Sequence, residues 1–310
     1  MWKVSKLMRN KTGAYITIYE DRKAAIECIT AINSQNLLVN CIFLVDNSKQ
    51  KLIESFDNVV VHHFPANIGI NKGLIMALDW AIEENYNFLW TFDQDSVPHK
   101  NCLSNLIEVH QSLIEQGNRV GIVAPTAYDR RSQVIIGGVN FKNDKFTHCK
   151  YNSCIQMYEC DAPITSGSLI DINAVKLIEI PTVDLFIDGV DFDYGLRLKK
   201  QGFKNFVVTN AKLDHSYGTP INISILNYKF VFQSYSPLRY YYACRNTTYL
   251  AMYYAKGLYK VTASLHRIKT TILKVIAIIL FERSNKKNSV FACFIGTFDG
   301  FTNKMTNTRY

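Results

Sequence analysis

Residues 88–98 read Phe-Leu-Trp-Thr-Phe-Asp-Gln-Asp-Ser-Val-Pro, an apolar, β-prone run that stops in two carboxylates, Asp93 and Asp95, with Pro98 closing it. Acids one residue apart at a strand end can hold one divalent cation. Mg2+ and Mn2+ prefer hard oxygen ligands and take one or two carboxylates together with substrate phosphates. A solvated turn bearing two acids is the plainer account of an isolated Asp-x-Asp. A second group, Asp188, Asp191 and Asp193, crowds six residues. Three acids so close repel one another unless a cation, an Arg such as Arg197, or a hydroxylic substrate losing its proton is near. His215 is a further metal-ligand or acid–base type, although a lone His is more often an ordinary surface or core residue. The segment Asn67-Ile68-Gly69-Ile70-Asn71-Lys72-Gly73 stands at the head of a helical pattern, where backbone N–H groups can approach an anion or a nucleotide ring. It is neither GxGxxG nor a P-loop, so neither a dinucleotide cofactor nor an ATPase is indicated.

The elements that must position these groups follow from periodicity. A strand is predicted over 14–19, a helix from an Asp21 N-cap to Asn33, strands over 41–45 and 59–63, a helix over 73–84 and a strand over 87–92. That order describes a doubly wound, mostly parallel α/β sheet, in which ligands gather beyond the carboxyl ends of the strands. A helix over 102–115, a strand over 120–124 ended by Pro125, and a β-rich irregular region over 133–160 come next. Ser166 lies in Thr165–Ser168, which leads into an apolar strand, and a helix from Asp171 is closed by Pro181. The three acids crowd the N-terminal turn of a helix that Gly202 ends, and His215 falls just beyond a short strand at 207–208. From Ser234 onward the pattern is helical. Within 266–281 the uninterrupted apolar run Val275–Phe281 is only seven residues, against about 20 needed to span a bilayer. A basic, apolar-faced helix in the plane of a membrane surface fits it, as does a helix pair covering the domain.

The 310 residues suffice for one large α/β domain with a C-terminal extension. The expected division is 1–234 (donor half about 14–125, acceptor and base half about 126–234) and 235–310. The net charge of +9 implies an anionic partner: nucleic acid, acidic lipid or a phosphorylated substrate. Much of the excess lies in 256–287, where eight Lys and Arg face Glu282 alone. The eight cysteines form no CxxC, and the spacings of His148, Cys149, Cys154 and Cys160 fit no usual zinc knuckle. Reduced thiols in a cytosolic protein are the simplest account, and Met1–Arg9 lacks the apolar core of a secretory signal.

Taken in order, Val45-Asp46-Asn47-Ser48, Asn67-Ile68-Gly69, Asp93-Gln94-Asp95, Ser166-Gly167-Ser168, Asp188-Gly189-Val190-Asp191, His215 and Arg239-Tyr240-Tyr241-Tyr242 with Arg245-Asn246 resemble the inverting glycosyltransferases of family 2, which have the GT-A fold. The resemblance is to their rhamnosyltransferase-like group of bacterial surface-polysaccharide synthesis and runs from about residue 14 to 250. It implies a nucleotide-sugar donor held by Asp46, Asn67, Gly69 and Asp93, with Mg2+ or Mn2+ on Asp93, Asp95 and His215. Asp191 is then the base that takes the acceptor's proton, and Ser166, Asp188, Arg239 and Arg245 meet the diphosphate or the acceptor. The donor implied is dTDP-rhamnose and the acceptor a lipid-linked or growing polysaccharide at the inner face of the cell membrane. Two departures stand out: Ile18-Tyr19-Glu20-Asp21 replaces the usual Pro-x-Tyr-Asn, and Val190 precedes the base in place of Glu, which leaves Asp188 and Asp193 as rivals.

A UDP-sugar transferase moving galactofuranose, galactose or an N-acetylhexosamine is the runner-up, since neither Asp46 nor Asn67 separates uracil from thymine. A nucleotidyltransferase would carry a Gly-rich basic loop after the first strand, which Tyr19–Ala25 lacks. A nucleic-acid-binding protein rests on charge alone, and the excess here lies beside an apolar helix. Nucleic acid is not expected as a partner.

Overall fold

The computed structural model describes residues 10–179, 181, 185–216, 218–225 and 228–305, so the reading of Met1–Arg9 lies outside the described residues. At the centre is β1 (Thr12–Ile18), buried along its whole length between the parallel strands β2 (Cys41–Asp46) and β4 (Phe88–Asp93). The edge strand β3 (Val59–His63) continues the parallel set. Successive side chains of β1 enter opposite cores, as the two-residue repeat of a strand requires. Ala14, Ile16 and Ile18 pack toward helices α1 (Arg22–Asn33) and α3 (Cys102–Glu115), while Tyr15 packs toward α2 (Gly69–Glu83). Asp21 caps α1 as expected, accepting from Ala24 N at 3.0 Å.

Registers Ile18↔Asp46 and Thr17↔Asp93 bring three strand tips to one edge. The other half of the sheet is delivered to that edge differently. Strand β11 (Leu169–Asp171) runs antiparallel between β4 and β6 (Val120–Asp129), so the residues that precede it, Ser166–Ser168, arrive beside the tip of β4. Strand β12 (Lys204–His215) runs parallel to β6, and its far end pairs with the two-residue β5 (Val97–Pro98). With β10 (Met157–Cys160) the main path reads β10-β12-β6-β11-β4-β1-β2-β3, and β7 (Val134–Ile136) adds to β6. A hairpin of β8 (Val139–Lys142) and β9 (Lys145–His148) completes the irregular region.

Three local expectations are corrected. Helix α2 begins at Gly69, not Gly73. Strand β6 passes through Pro125, because the register with β12 shifts at that point (Val208↔Pro125, then Lys212↔Thr126), and a bulge tolerates the missing N–H. His215 lies within β12, not beyond a short strand. A hairpin, β13 (Thr219–Ile225) and β14 (Tyr228–Ser234), lies between β12 and the C-terminal helices. The short helix α4 (Ile172–Val175) and helix α5 (Val190–Lys200) complete the sheet domain.

Three helices follow: α6 (Pro237–Tyr254), α7 (Tyr259–Phe281) and α8 (Lys286–Phe301). Ser236 caps α6, with Pro237 at its first position, where the missing N–H costs nothing. Helices α6 and α8 approach closely because Gly296 and Gly300 face the α6 backbone; a Cβ there would lie 2.3 Å from Tyr241 O and 2.5 Å from Arg245 O. Phe186 and Ile187 of the sheet domain pack into the same cluster, so α6 is seated on the loop ahead of α5.

Candidate active site

Asp93, Asp95 and His215 converge, each offering a ligand atom within 4.8 Å of the others, and among the described residues they form the one such group of three. The β4 tip, the turn after it and the end of β12 supply them. Burial raises the Asp95 carboxyl, the neighbouring His215 opposes that rise and Asp93 adds to it. Ser166 Oγ donates to Asp93 Oδ2 at 2.6 Å and fixes its orientation. His215 is 4% exposed, and its Nδ1 lies 3.1 Å from Ser96 Oγ and 3.3 Å from Asp95 Oδ1. The ring nitrogen turned toward Asp95 is therefore Nδ1. Two crowded carboxylates plus an imidazole fit Mn2+ or Mg2+, whose charge would relieve their repulsion.

Asp191 sits in the first turn of α5, accepting from Phe192 N at 3.0 Å. Burial pushes its carboxyl up to about 7, with the charges of Asp188 and Asp93 adding to the rise. The rivals are otherwise engaged. Asp193 is fully buried, paired with Arg197 Nε at 2.9 Å and accepting from Tyr254 Oη at 2.9 Å. Asp188 adopts φ 61°, which turns its side chain onto Arg239 Nη2 at 3.3 Å.

The loop that presents Asp191 is gripped from two sides. Asn246 Nδ2 donates to Ile187 O at 2.7 Å and Asp188 O at 2.8 Å, and Tyr242 stacks on Phe186 with centroids 5.1 Å apart. From the donor side, Ile70 N donates to Phe186 O at 2.9 Å. Gly69, at φ 80°, leaves no room for a Cβ, which would lie 2.5 Å from the Phe186 ring. Asn67, at φ 45°, accepts from Gly69 N at 3.0 Å and shapes the same turn.

Two residues expected to contact ligands also serve the fold. Asp46 is fully buried and its oxygens accept from Ser48 N at 3.0 Å and Leu52 N at 2.6 Å, so the carboxylate shapes the loop after β2. Arg245 is 1% exposed, donates to Asn246 Oδ1 at 2.9 Å and Met305 O at 3.1 Å, and lies over the Tyr242 ring. It joins α6 to the C-terminal end of the described chain, and phosphate would have to displace those partners. The His148, Cys149, Cys154 and Cys160 region holds free thiols.

Three residues have roles that the sequence did not reveal. Gln94, between the two acids, holds the tip of β1 by accepting from Tyr19 N at 2.6 Å and donating to Tyr19 O at 3.0 Å. Ser96 was legible as part of the motif but had no role until β12 brought His215 to it. Arg131 follows Asp129, the register partner of His215, and donates through Nη1 to Gly218 O at 2.6 Å. Its charge reaches the Asp95 carboxylate and acts to lower it. Nothing local in Asp-Arg-Arg-Ser signals this.

A mixed sheet with a mostly parallel core, acids gathered at its carboxyl edge and a C-terminal helical region define a glycosyltransferase of the GT-A fold. Residues 14–166 match the model of glycosyl transferase family 2. It is similar over its length to the dTDP-rhamnosyl transferase RfbF of Shigella flexneri, with 23% identity over 308 residues, 97% of this chain and 98% of that one. Its fold is similar to that of GalNAc-T7, whose structure was determined with UDP, GalNAc and Mn2+. The TM-score is 0.59 and the identity 13%, over 96% of this chain and 58% of that chain's length.

Proposed function

We propose that the chain is an inverting, metal-dependent transferase that moves rhamnose from dTDP-rhamnose onto a hydroxyl of a lipid-linked or growing surface polysaccharide, at the inner face of the cell membrane. The observation that carries the reading is the Asp93, Asp95 and His215 cluster lying close enough to Asp191 for Asp93 to act on its charge. Inverting transfer needs that pairing, with a leaving-group site and a base on opposite sides of one sugar. The full-length similarity to a dTDP-rhamnosyl transferase supports the choice of donor.

Asp93, Asp95 and His215 would hold Mg2+ or Mn2+, which when bound neutralises charge developing on the departing diphosphate. Asn67 and Gly69 frame the donor side of the cleft. The Asp191 carboxylate accepts the acceptor hydroxyl's proton as the oxygen bonds to the anomeric carbon and the sugar–diphosphate bond breaks. A carboxyl raised to about 7 suits that task, since a base works best near the ambient pH. Ser166 keeps Asp93 oriented, and the Asp188–Arg239 pair borders the acceptor side. The division into 1–234 and 235–310 is retained as functional, with α6 binding the two parts together.

The test is a thermal-shift and calorimetric panel of dTDP, UDP, GDP and CMP, with Mn2+, Mg2+ or EDTA, followed by turnover with dTDP-rhamnose. Metal-dependent preference for dTDP is expected. Preference for UDP would replace rhamnose by a UDP-sugar, and binding of none would overturn the reading.

A further inference from the structure

Helix α7 is apolar on two opposite sides. Ala263, Thr271, Val275 and Ile278 face inward and are buried. Val261, Leu265, Ile268, Ile272, Ile276 and Ile279 recur every three or four residues on the outer side, and all are exposed, Leu265 by 63%. The neighbouring α8 repeats the arrangement: Ala292, Cys293 and Gly296 face inward, while Phe291, Phe294 and Phe298 project outward at 60%, 51% and 56% exposure. A surface helix normally turns a polar face to water, and one that is apolar all round needs cover on both sides. Exposed apolar rows on two neighbouring helices together exceed what a monomer usually leaves in water.

Charge identifies the cover. Between His215 and Glu282 the sequence contains no Asp or Glu. The two acids beyond are internal: Glu282 accepts from Ser234 Oγ at 2.8 Å and Tyr240 Oη at 3.1 Å, and Asp299 accepts from Tyr241 Oη at 2.9 Å. Every exposed charge from 256 to 304 is therefore basic: Lys256, Lys260, Lys269, Arg283, Lys286, Lys287 and Lys304. A second copy of this face would set like charges against each other, Lys269 among them. The termini outside the described residues add Lys3, Lys6, Arg9 and Arg309 and no acid, so they do not complement it either. Among the described residues no helix is long and apolar enough to cross a membrane.

We propose that the outer faces of α7 and α8 seat the protein on an anionic lipid bilayer. The helices lie in the interfacial plane, with their leucine, isoleucine and phenylalanine side chains at the headgroup–acyl boundary and the lysines among the headgroups. This goes beyond the glycosyl-transfer reading and does not depend on it.

Flotation of the full chain with phosphatidylcholine vesicles, with and without about one-third phosphatidylglycerol, tests the proposal. Binding to the anionic vesicles is expected, weakened about tenfold or more in neutral vesicles, in high salt, and in the double variant Leu265→Glu, Ile272→Glu. Both positions are exposed, and an unchanged far-UV melting curve for the variant separates lost seating from lost folding. Equal binding by a folded variant, or equal binding to neutral and anionic vesicles, would overturn the proposal. So would a dimer in sedimentation equilibrium that the double variant dissolves, without vesicle binding by the wild type.

Discussion

The side-chain amide of Asn246 donates to the main-chain carbonyl of Asp188 at 2.8 Å, and the same nitrogen reaches Ile187 O at 2.7 Å. A helix far along the sequence thus holds two carbonyls three and four residues before Asp191, in a segment where Asp188 and Gly189 both have positive φ. Asn246→Ala strips both carbonyls of their donor at a cost of about 1–3 kcal/mol. In the proposed enzyme kcat should fall about tenfold or more while the Kd for nucleoside diphosphate stays within about twofold. Single-turnover rates and calorimetry read the two quantities separately.

Burial pushes the Asp191 carboxyl up to about 7, so as the proposed base it would be active above that value and silent below it. The pH profile of kcat/KM should rise through about 7 and then level. Asp191→Asn should lower transfer by about 10²–10⁴-fold with donor binding kept. Stability runs the opposite way. The folded carboxyl lies above its unfolded value of about 4, so its contribution is full below that pH and is lost as pH rises through about 7. Asp191→Asn should therefore melt higher than wild type at pH 8, with the gap closing toward pH 4. A variant that melts lower at pH 8 would show that the carboxylate has a stabilising partner.

The parallel half of the fold was legible because its strands are buried on both faces and read as continuous apolar runs closed by polar tips, Cys41–Asp46 and Phe88–Asp93 above all. The half around β6, β11 and β12 was not. Pro125 looked like a stop because sequence does not reveal that the partner strand bulges beside it, and His215 looked detached because its neighbour in the sheet, Asp129, is 86 residues away. The residues alone showed the acid at 191 as one of three, and only the family resemblance singled it out. What separates it from Asp193 is the Arg197 and Tyr254 pairing, and what separates it from Asp188 is a left-handed residue that turns toward Arg239. In Arg245 and Asn246 charge suggested phosphate, whereas the sequence could not show that Arg245 is buried against Asn246, which in turn holds the loop before Asp191.

Gly69 has φ 80° and faces the Phe186 ring, so Gly69→Ala combines a strained backbone with a contact that neither loop can relax alone. A loss of about 1–3 kcal/mol in stability is expected. Because the strain lies between the donor turn and the base loop, nucleotide affinity should fall as well. Denaturant melts and calorimetry on the same preparation check both, and a variant that matches wild type in each would show that the two loops separate freely.

Arg131 carries the one prediction that separates a nucleotide's two ends. Its guanidinium is held by Gly218 O three residues beyond His215, and its charge acts on Asp95, which sets a planar cation near the proposed metal site. Guanidinium pairs bidentately with phosphate oxygens and has little to offer a nucleobase or a deoxyribose at that edge. Arg131→Ala should weaken dTDP about tenfold, leave thymidine within about twofold, and flatten the salt dependence of dTDP binding. Arg131→Lys should recover only part of the loss, because an ammonium keeps the charge without the fork. Parallel losses for dTDP and thymidine would instead mean that Arg131 works by ordering the loop on Gly218. Comparing the two ligands on one protein sample decides between an electrostatic contact and a purely structural one.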